Sequence, residues 1–263
     1  MVSIDQIGTQ IELKEPPQRI ISLVPSQTDL LHYLGLEQEV VGITKFCVHP
    51  EEWFRTKTRI GGTKKVKHEL IHSLKPDLII GNKEENTRED IERLKQDFSV
   101  WVSNILTIMD ALKMIEEVGK ITGKIAPAQN LVSDIRKEIS EIQPADRSLR
   151  VAYLIWKEPL MAVGADTYIH DFLESTGFTN ALGHLSRYPE IQLEDLKALD
   201  LDAVFLSSEP YPFKNKHKSI FTDVVPIENV HIVDGEAFSW YGHRMLKGIQ
   251  YAKALHRSLH IHS

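Results

Sequence analysis

Short apolar segments that alternate with amphipathic ones constrain the fold of this chain more than any other feature of its sequence. In the first half, the pattern predicts strands at 19–24, 40–43, 77–80 and 100–102, and helices at 27–34, 88–98 and 107–122. The second half predicts strands at 150–155, 203–206 and 230–233, and helices at 167–175, 193–199 and 245–259. Because strands connected through helices form βαβ units, the sequence predicts an α/β fold with parallel sheets.

The two halves of the chain also resemble each other. The segment LKPDLIIG, which begins at Leu74, corresponds to LDLDAVFLS, which begins at Leu199, and each follows the first long strand of its half at a similar distance. In each segment a helix end leads through a polar turn into a strand. This internal similarity predicts two related Rossmann-like lobes.

A single long helix is predicted between the two lobes. Pro127 occupies a position that the first turn of a helix tolerates, residues 128–142 contain no helix-breaking residue, and Pro144 ends the segment. Such a helix is a stiff connection, unlike a linker rich in Gly and Ser. We therefore expect three segments, namely an N-terminal α/β lobe at 1–105, a helical connection at 106–145 and a C-terminal α/β lobe at 146–263.

The charge and hydropathy patterns argue against some classes of partner. The chain has 31 basic and 37 acidic residues and a net charge of -6, with no basic stripe, so we expect no nucleic-acid partner. No apolar run approaches the roughly 20 residues of a membrane-spanning helix, so the chain is not expected to span a membrane. Residues 1–13 lack the pattern of a secretory signal, so we expect either a separate export segment or a cytoplasmic protein.

One motif favours a different function. His68, Glu69 and His72 match the H-E-x-x-H pattern of zinc proteases, in which two histidines bind the metal and the glutamate activates water. Lys75 and Pro76 end this predicted helix soon after the second histidine. A zinc-dependent hydrolase is therefore one alternative, and an ordinary surface helix is the other.

The loops that follow the predicted strands are candidates for a binding site, because ligands bind at the carboxyl ends of strands in open parallel sheets. Aromatic residues are concentrated between Phe238 and Tyr241. Their flat faces suit a large ring system such as a corrin or haem, and a packing role is the alternative. The candidate ligand-binding residues are Ser26, Gln27, Phe46, Thr63, Lys64, Asn82, Lys83, Trp156, Trp240, Tyr241, His243 and Arg244.

Three side chains in these loops are candidates for contact with a metal. Cys47, His49 and His243 carry a thiol or an imidazole, which are ligands that suit cobalt, iron or zinc. The alternative for each is a structural role, because a lone cysteine is usually a small buried hydrophobic residue. Near the carboxyl terminus, His256, His260 and His262 are expected at a solvated helix end.

The order of these segments resembles that of the ABC-importer binding proteins with a helical backbone, the class III periplasmic binding proteins. The similarity is greatest to the vitamin B12-binding branch, with iron-siderophore and haem binders as relatives. It covers residues 18 to about 258. The matching segments are RIISLVPSQTDLLHYLGL, VVGIT, LKPDLII, the single helix between the lobes, and VGADTYIHDFLESTGFTNAL.

The resemblance implies that the chain is the substrate-binding component of an ABC importer and not an enzyme. It implies a metal-chelate ligand between the lobes, namely a cobalamin or other corrinoid, a ferric siderophore or haem. The metal, cobalt or iron, then belongs to the ligand, and no intrinsic cofactor is expected. By position, Glu69 and Glu194 match the acidic residues that dock onto arginines of the permease subunits.

The resemblance also implies a periplasmic or cell-surface location, and a cytoplasmic carrier or sensor with the same fold is the alternative. The chain departs from the B12-binding branch in two loops. Thr63-Lys64 and Asn82-Lys83 supply polar and cationic groups where that branch carries more aromatic side chains. This difference favours a negatively charged ligand, such as a ferric siderophore or a corrinoid with charged side groups.

Overall fold

The computed structural model describes residues 1–142 and 148–260 of the chain, which divide into two compact units. Unit 1 comprises Met1–Ile105, Met109–Asp134 and Tyr241–Arg244. Unit 2 comprises the described residues within Leu106–Ile108, Ile135–Trp240 and Met245–Ser263. The predicted boundary at 145/146, Pro144 and His262 lie outside the described residues, and the predicted division into three segments stays a prediction.

Unit 1 contains a five-stranded sheet, two short hairpins and the helices that cover the sheet. In chain order, its elements are β1 (Val2–Ile4), β2 (Gln10–Glu12), β3 (Ile20–Ser22), α1 (Pro25–Tyr33), β4 (Val40–Ile43), α2 (Glu51–Thr56), β5 (Thr58–Arg59), β6 (Gly61–Gly62), β7 (Lys65–Val66), α3 (His68–Leu74), β8 (Leu78–Asn82), α4 (Arg88–Leu94), β9 (Val100–Ser103) and α5 (Ile108–Ile121). The next helix, α6 (Ile125–Ser140), contains the boundary between the two units.

All five strands of the unit 1 sheet are parallel, in the order β5–β4–β3–β8–β9. Ile20, Ile21 and Ser22 of β3 pair with Leu78, Ile79 and Ile80 of β8. All these side chains are fully buried, as expected of strands that helices cover on both faces. The strand order reverses between β3 and β8, which is the position where open α/β sheets open a crevice.

The first helix starts two residues earlier than its predicted start at Gln27. Its first residue is Pro25, whose fixed φ and missing N–H both suit the first turn of a helix. The helix ends before Gly35, which has a φ of 73°. Ser26 and Gln27 are therefore held on a rigid element at the carboxyl end of β3, and not on a loop as predicted.

Helices α5 and α6 pack tightly against each other within unit 1. A Cβ atom on Gly119 of α5 would lie 2.3 Å from the Cβ of Ala128 on α6, so the two backbones approach more closely than side chains would permit. The long helix predicted at 128–142 is confirmed, although it begins at Ile125. Its 16 residues correspond to about 24 Å.

Unit 2 is also an α/β structure. Its elements are β10 (Leu149–Trp156), β11 (Met161–Ala162), α7 (Tyr168–Ser175), β12 (Phe178–Asn180), α8 (Leu193–Lys197), β13 (Ala203–Ser207), β14 (Val230–Val233), α9 (Gly235–Ser239) and α10 (Met245–His260), with two 3-10 helices at Asn215–Phe221 and Ile227–Asn229. Strands β12, β10, β13 and β14 are parallel in that order. The short β11 pairs antiparallel with the end of β10. The predicted α/β class with parallel sheets is therefore confirmed.

The structure favours the packing alternative for Phe238 and corrects the prediction for His256. Phe238 lies in α9, is fully buried, and packs edge-on against Tyr153 and Phe172, with ring centroids 5.2 and 5.6 Å away. It belongs to the core and not to a ligand-binding loop. His256 is not a solvated helix end, because its ring packs on Phe178 and its Nε2 lies 3.1 Å from the carbonyl oxygen of Gly177.

Within residues 1–142 and 148–260, none of the helices is both long enough and apolar enough to cross a membrane.

Candidate functional site

Four connections of unit 1 lie near one another. Three of them follow strands whose carboxyl ends share one edge of the unit 1 sheet, and the fourth packs beside these three. β3 leads directly into α1, β4 leads into Lys45-Phe46, and β8 leads into Lys83. The fourth is the Thr63-Lys64 turn of the β6–β7 hairpin. It is joined to the β4 loop by a bond of 2.8 Å from the Lys45 N–H to the Gly61 carbonyl oxygen. Most of the predicted ligand-binding residues of unit 1 therefore lie close together.

Two of those residues belong to a buried hydrogen-bond network. The Gln27 amide donates to the hydroxyl of Ser103 at 2.6 Å and to the carbonyl oxygen of Gly81 at 3.2 Å. The Asn82 amide donates to the same hydroxyl at 2.9 Å. The amide groups of Gln27 and Asn82 thus both donate to atoms of unit 1. The amide oxygen of Gln27 is buried and has no hydrogen-bond partner among the described residues.

Asn86 connects three of these loops, although sequence reasoning did not select it. Its amide donates to the carbonyl oxygens of Thr63, at 3.0 Å, and Leu23, at 3.4 Å, while its own oxygen accepts from the Asn82 N–H at 2.8 Å. The side chain is buried. The available signal in the sequence was an asparagine four residues after the strand-ending Asn82. A buried amide must be satisfied by hydrogen bonds, and those of Asn86 are made to backbone groups.

Tyr241 is packed against the same network. Its side chain is buried, and burial raises the pKa of its hydroxyl, although hydrogen bonds with Ser26 and Ser103 act in the opposite direction. The next residue, Gly242, has a φ of 95° and lies against Leu30 of α1. Tyr241 therefore closes the carboxyl edge of the unit 1 sheet and presents little of its ring to solvent.

His243 and Arg244 both contact Asp29, a buried residue of α1 that the sequence analysis did not select. His243 Nδ1 and Arg244 Nε lie 3.0 and 2.8 Å from the same carboxylate oxygen. Burial raises the pKa of Asp29, but the hydrogen bonds and positive charges of His243 and Arg244 outweigh it, so the net pKa is lowered. His243 also stacks on Tyr33 at 5.1 Å. An aspartate that directly precedes the apolar pair Leu30-Leu31 was the available signal.

The candidate metal contacts do not converge. Cys47 is fully buried, with Thr28 and Thr44 hydroxyls 3.0 and 3.1 Å from its sulfur, and burial raises the pKa of its thiol. His49 is half-buried, and His243 contacts Asp29. In the part of the chain that the structure describes, no three His, Cys, Asp or Glu side chains form a group suited to a metal ion.

The exposed members of the predicted site in unit 1 are Phe46, Lys64 and Lys83, with Thr63 nearly buried beside them. Phe46 is 51% exposed, an unusual value for a phenylalanine, and the Lys45 ammonium lies 4.9 Å from the centre of its ring. The Lys64 ammonium donates to the carbonyl oxygen of Glu84, next to Lys83. These side chains are the ones that a ligand at this edge would meet.

In unit 2, Trp156 is the last residue of β10 and Trp240 follows α9. The Trp156 indole donates to the carbonyl oxygen of Glu158 at 3.0 Å, and its ring is exposed beside Tyr211. Trp240 is half-buried and donates to the Glu209 carboxylate, which also accepts from the Ser239 hydroxyl at 3.0 Å. Burial raises the pKa of Glu209, and these two hydrogen bonds partly offset that effect.

The histidines of the H-E-x-x-H motif have separate partners. His68 Nε2 lies 2.7 Å from an oxygen of Asp90 on α4, and His72 Nε2 lies 3.5 Å from an oxygen of Asp97. The two rings therefore interact with different carboxylates beside α4 and do not share a metal-binding arrangement. Glu69, between them, is exposed on α3, and Glu194 is exposed on α8.

Solved structures of binding proteins have the same fold. The periplasmic haem-binding protein HutB of Vibrio cholerae matches with a TM-score of 0.79 and 21% identity, over 90% of this chain and 98% of that one. The siderophore-binding protein BauB, solved with acinetobactin and ferric iron, matches with a TM-score of 0.81 and 19% identity, over 96% and 97% of the two chains. The two-lobed α/β architecture is thus shared with both.

Curated relatives have related descriptions. An ABC transporter substrate-binding lipoprotein of Bacillus subtilis is 25% identical, covering 95% of this chain and 83% of its own. A vitamin B12-binding protein of Vibrio parahaemolyticus is 23% identical over 73% of this chain and 72% of its own.

The family described as "Periplasmic binding protein" matches residues 20–225, which is most of the chain. Its members are substrate-binding proteins and not enzymes, so the zinc-hydrolase alternative receives no support. From the parallel sheets and this match, we conclude that the chain belongs to the periplasmic binding protein family.

Proposed function

We propose that this protein captures a metal chelate and delivers it to the permease of an ABC importer. The observation that carries the proposal is the family match over residues 20–225, together with relatives and structural neighbours that are described as binders of vitamin B12, haem and a ferric siderophore. Cobalt or iron then arrives as part of the ligand.

The ligand contacts that we propose are the exposed side chains of the predicted set together with the half-buried Trp240. They are Phe46, Lys64 and Lys83 in unit 1 and Trp156 and Trp240 in unit 2. Thr63 supplies the turn beside them. The remaining predicted residues, Ser26, Gln27, Asn82, Tyr241, His243 and Arg244, support the site from within unit 1, because they are buried or half-buried and contact other residues of that unit.

Glu69 and Glu194 are our candidates for docking onto the permease. Each is exposed on a short helix, α3 in unit 1 and α8 in unit 2, and each occupies the position that the family resemblance assigns to a docking glutamate. Exposed carboxylates form charge-assisted, often bidentate hydrogen bonds with arginines of a partner. We place the protein in the periplasm or at the cell surface, in keeping with its family and with its lipoprotein relative.

A thermal-unfolding panel tests the proposed function. The purified protein is heated with cobalamin, cobinamide, haem and ferric siderophores in turn, and the unfolding temperature is measured. A true ligand at one hundred times its dissociation constant adds about 3 kcal/mol to the free energy of unfolding, because it binds only the folded state.

Ferric and cobalt salts without a chelator are the matched control, and we expect no comparable stabilisation because the described residues form no metal-binding group. Stabilisation by the bare metals alone would contradict a chelate-binding function.

A further inference from the structure

Three exposed lysines lie on three different connections of unit 1, at the edge of the sheet where Phe46 is exposed. Lys45 follows β4, Lys64 lies in the β6–β7 turn, and Lys83 follows β8. All three are exposed. They come from sequence positions far apart, and the sheet brings their loops to one edge, because the carboxyl ends of parallel strands share that edge.

Specific contacts hold these loops together as one surface. The side chain of Lys45 lies against Gly62, where an added Cβ would be 3.5 Å from the lysine Cε and 3.1 Å from the Phe46 ring. The Lys64 ammonium reaches across to the carbonyl oxygen of Glu84. Lys83 is fixed by its N–H, which donates to the Ser103 carbonyl oxygen at 2.8 Å. The three loops are therefore joined to one another, and each of them carries one of the lysines.

The positive charge of this surface is only partly compensated. Glu84 and Glu85 lie beside Lys64, and Glu85 interacts with its charge. Among the described residues, Lys45 and Lys83 form no ion pair with a carboxylate. An exposed ammonium without a carboxylate partner attracts an anionic group and does so more strongly at low ionic strength.

We propose that the chelate bound by this protein is anionic, and that Lys45, Lys64 and Lys83 contact its negatively charged groups while Phe46 packs against its apolar part. The inference rests on the proposed function and narrows its ligand class. Lysines suit such groups as compact point charges on flexible stems, and the exposed aromatic ring supplies apolar contact. Neutral chelates of the same size and metal are the ligands that it disfavours.

Matched pairs of chelates that differ mainly in charge test the inference. The pairs are cobyrinic acid against cobinamide, haem against its dimethyl ester, and a ferric tris-catecholate against a neutral ferric hydroxamate. We expect the protein to bind the anionic member of at least one pair about tenfold more tightly than the neutral member at low salt. This preference should shrink as the salt concentration rises.

Substitution assigns the effect to these lysines. In the triple variant Lys45→Gln, Lys64→Gln and Lys83→Gln, we expect the preference for the anionic member to fall to about twofold or less. The matched control replaces Lys14, Lys113 and Lys120, three other exposed lysines of unit 1, with glutamine and changes the net charge equally. The control variant should keep the preference.

The outcomes separate the two proposals. If the neutral members bind as tightly as the anionic ones, the protein is a chelate binder and the inference is overturned. An equal loss of preference in both triple variants would also overturn it, since net charge and not these contacts would then be responsible. If no member of any pair binds, the proposed function fails, and this inference fails with it.

Discussion

Asp29 shows how a single buried charge organises the candidate site. Its carboxylate lies on α1, two residues after Gln27, accepts from Arg244 Nε at 2.8 Å and lies 3.0 Å from His243 Nδ1. The Asp29 side chain is 6% exposed, whereas both partners are 23% exposed. Burial of a carboxylate is costly unless such partners are present, so Asp29 and the segment Tyr241–Arg244 stabilise each other.

The substitution Asp29→Asn should destabilise the protein at neutral pH. It removes a negative charge that lies beside the partly buried side chains of His243 and Arg244. Hydrogen bonds to charged groups contribute about 1.5–3 kcal/mol to the free energy of unfolding. We expect a loss of this size in the free energy of unfolding, measured by urea denaturation at pH 7. The matched control is Asp97→Asn, which removes a surface partner of His72 that is 55% exposed and should cost less than about 1 kcal/mol.

The difference in stability between wild type and Asp29→Asn is also predicted to depend on pH. Because the folded state lowers the pKa of Asp29, the carboxylate contributes stability above its unfolded pKa of roughly 3.9, and this contribution is lost as the pH falls through the lowered value. The difference in stability between wild type and Asp29→Asn should therefore shrink as the pH falls below about 4. A difference that stays undiminished well below pH 4 would contradict the role assigned to Asp29.

At the residue scale, the sequence identified the loops at the edge of the sheet more accurately than it identified which side chains in them are exposed. Phe46, Lys64 and Lys83 lie exposed, as a binding role requires. Asp29, Asn86 and Ser103 were not selected, because their roles depend on partners far away in the sequence. For the same reason, the internal hydrogen bonds of Gln27 and Asn82 were not foreseeable from a local pattern.

At the scale of elements, the packing of α5 on α6 depends on a glycine. The substitution Gly119→Ala would place a Cβ 2.3 Å from that of Ala128 and 3.0 Å from the Lys124 carbonyl oxygen, so the two helices must move apart. Overpacking of this kind costs about 1–3 kcal/mol, which exceeds the gain of up to about 1 kcal/mol from the better helix propensity of alanine. We expect a lower free energy of unfolding, measured by chemical denaturation.

The double variant Gly119→Ala with Ala128→Gly is the control for this contact. It transfers the methyl group from one helix to the other and removes the main clash. The double variant should be more stable than the sum of the two single substitutions predicts, since the residues are in direct contact. Strict additivity would show that the close approach of α5 and α6 has no energetic consequence.

The long elements were predictable, and the short ones were not. The strand at Val40–Ile43 and the strand at Val230–Val233 were predicted with their observed bounds, and α6 was predicted within three residues at each end. The two-residue strands β6 and β7 were not predicted, because two residues contain no periodicity. Helix α9 was read as a loop, because its five residues are mixed in polarity.

At the scale of the whole molecule, the fold and the ligand have to be inferred from different features of the chain. Alternating strand and helix patterns were sufficient for the α/β class, whose parallel sheets are built from non-local pairs such as β3 with β8. The fold does not determine the ligand, because the same architecture serves binders of vitamin B12, haem and siderophores. The choice among ligands therefore lies in loop residues such as Lys64 and Lys83.

The most direct test of the account is an isothermal titration of the purified protein with corrinoids, haem and ferric siderophores, each supplied as the intact chelate. We predict saturable binding of at least one of these chelates, with one chelate per chain and a micromolar or tighter dissociation constant. The absence of saturable binding by every class of chelate, with the protein shown to be folded in the same buffer, would contradict it.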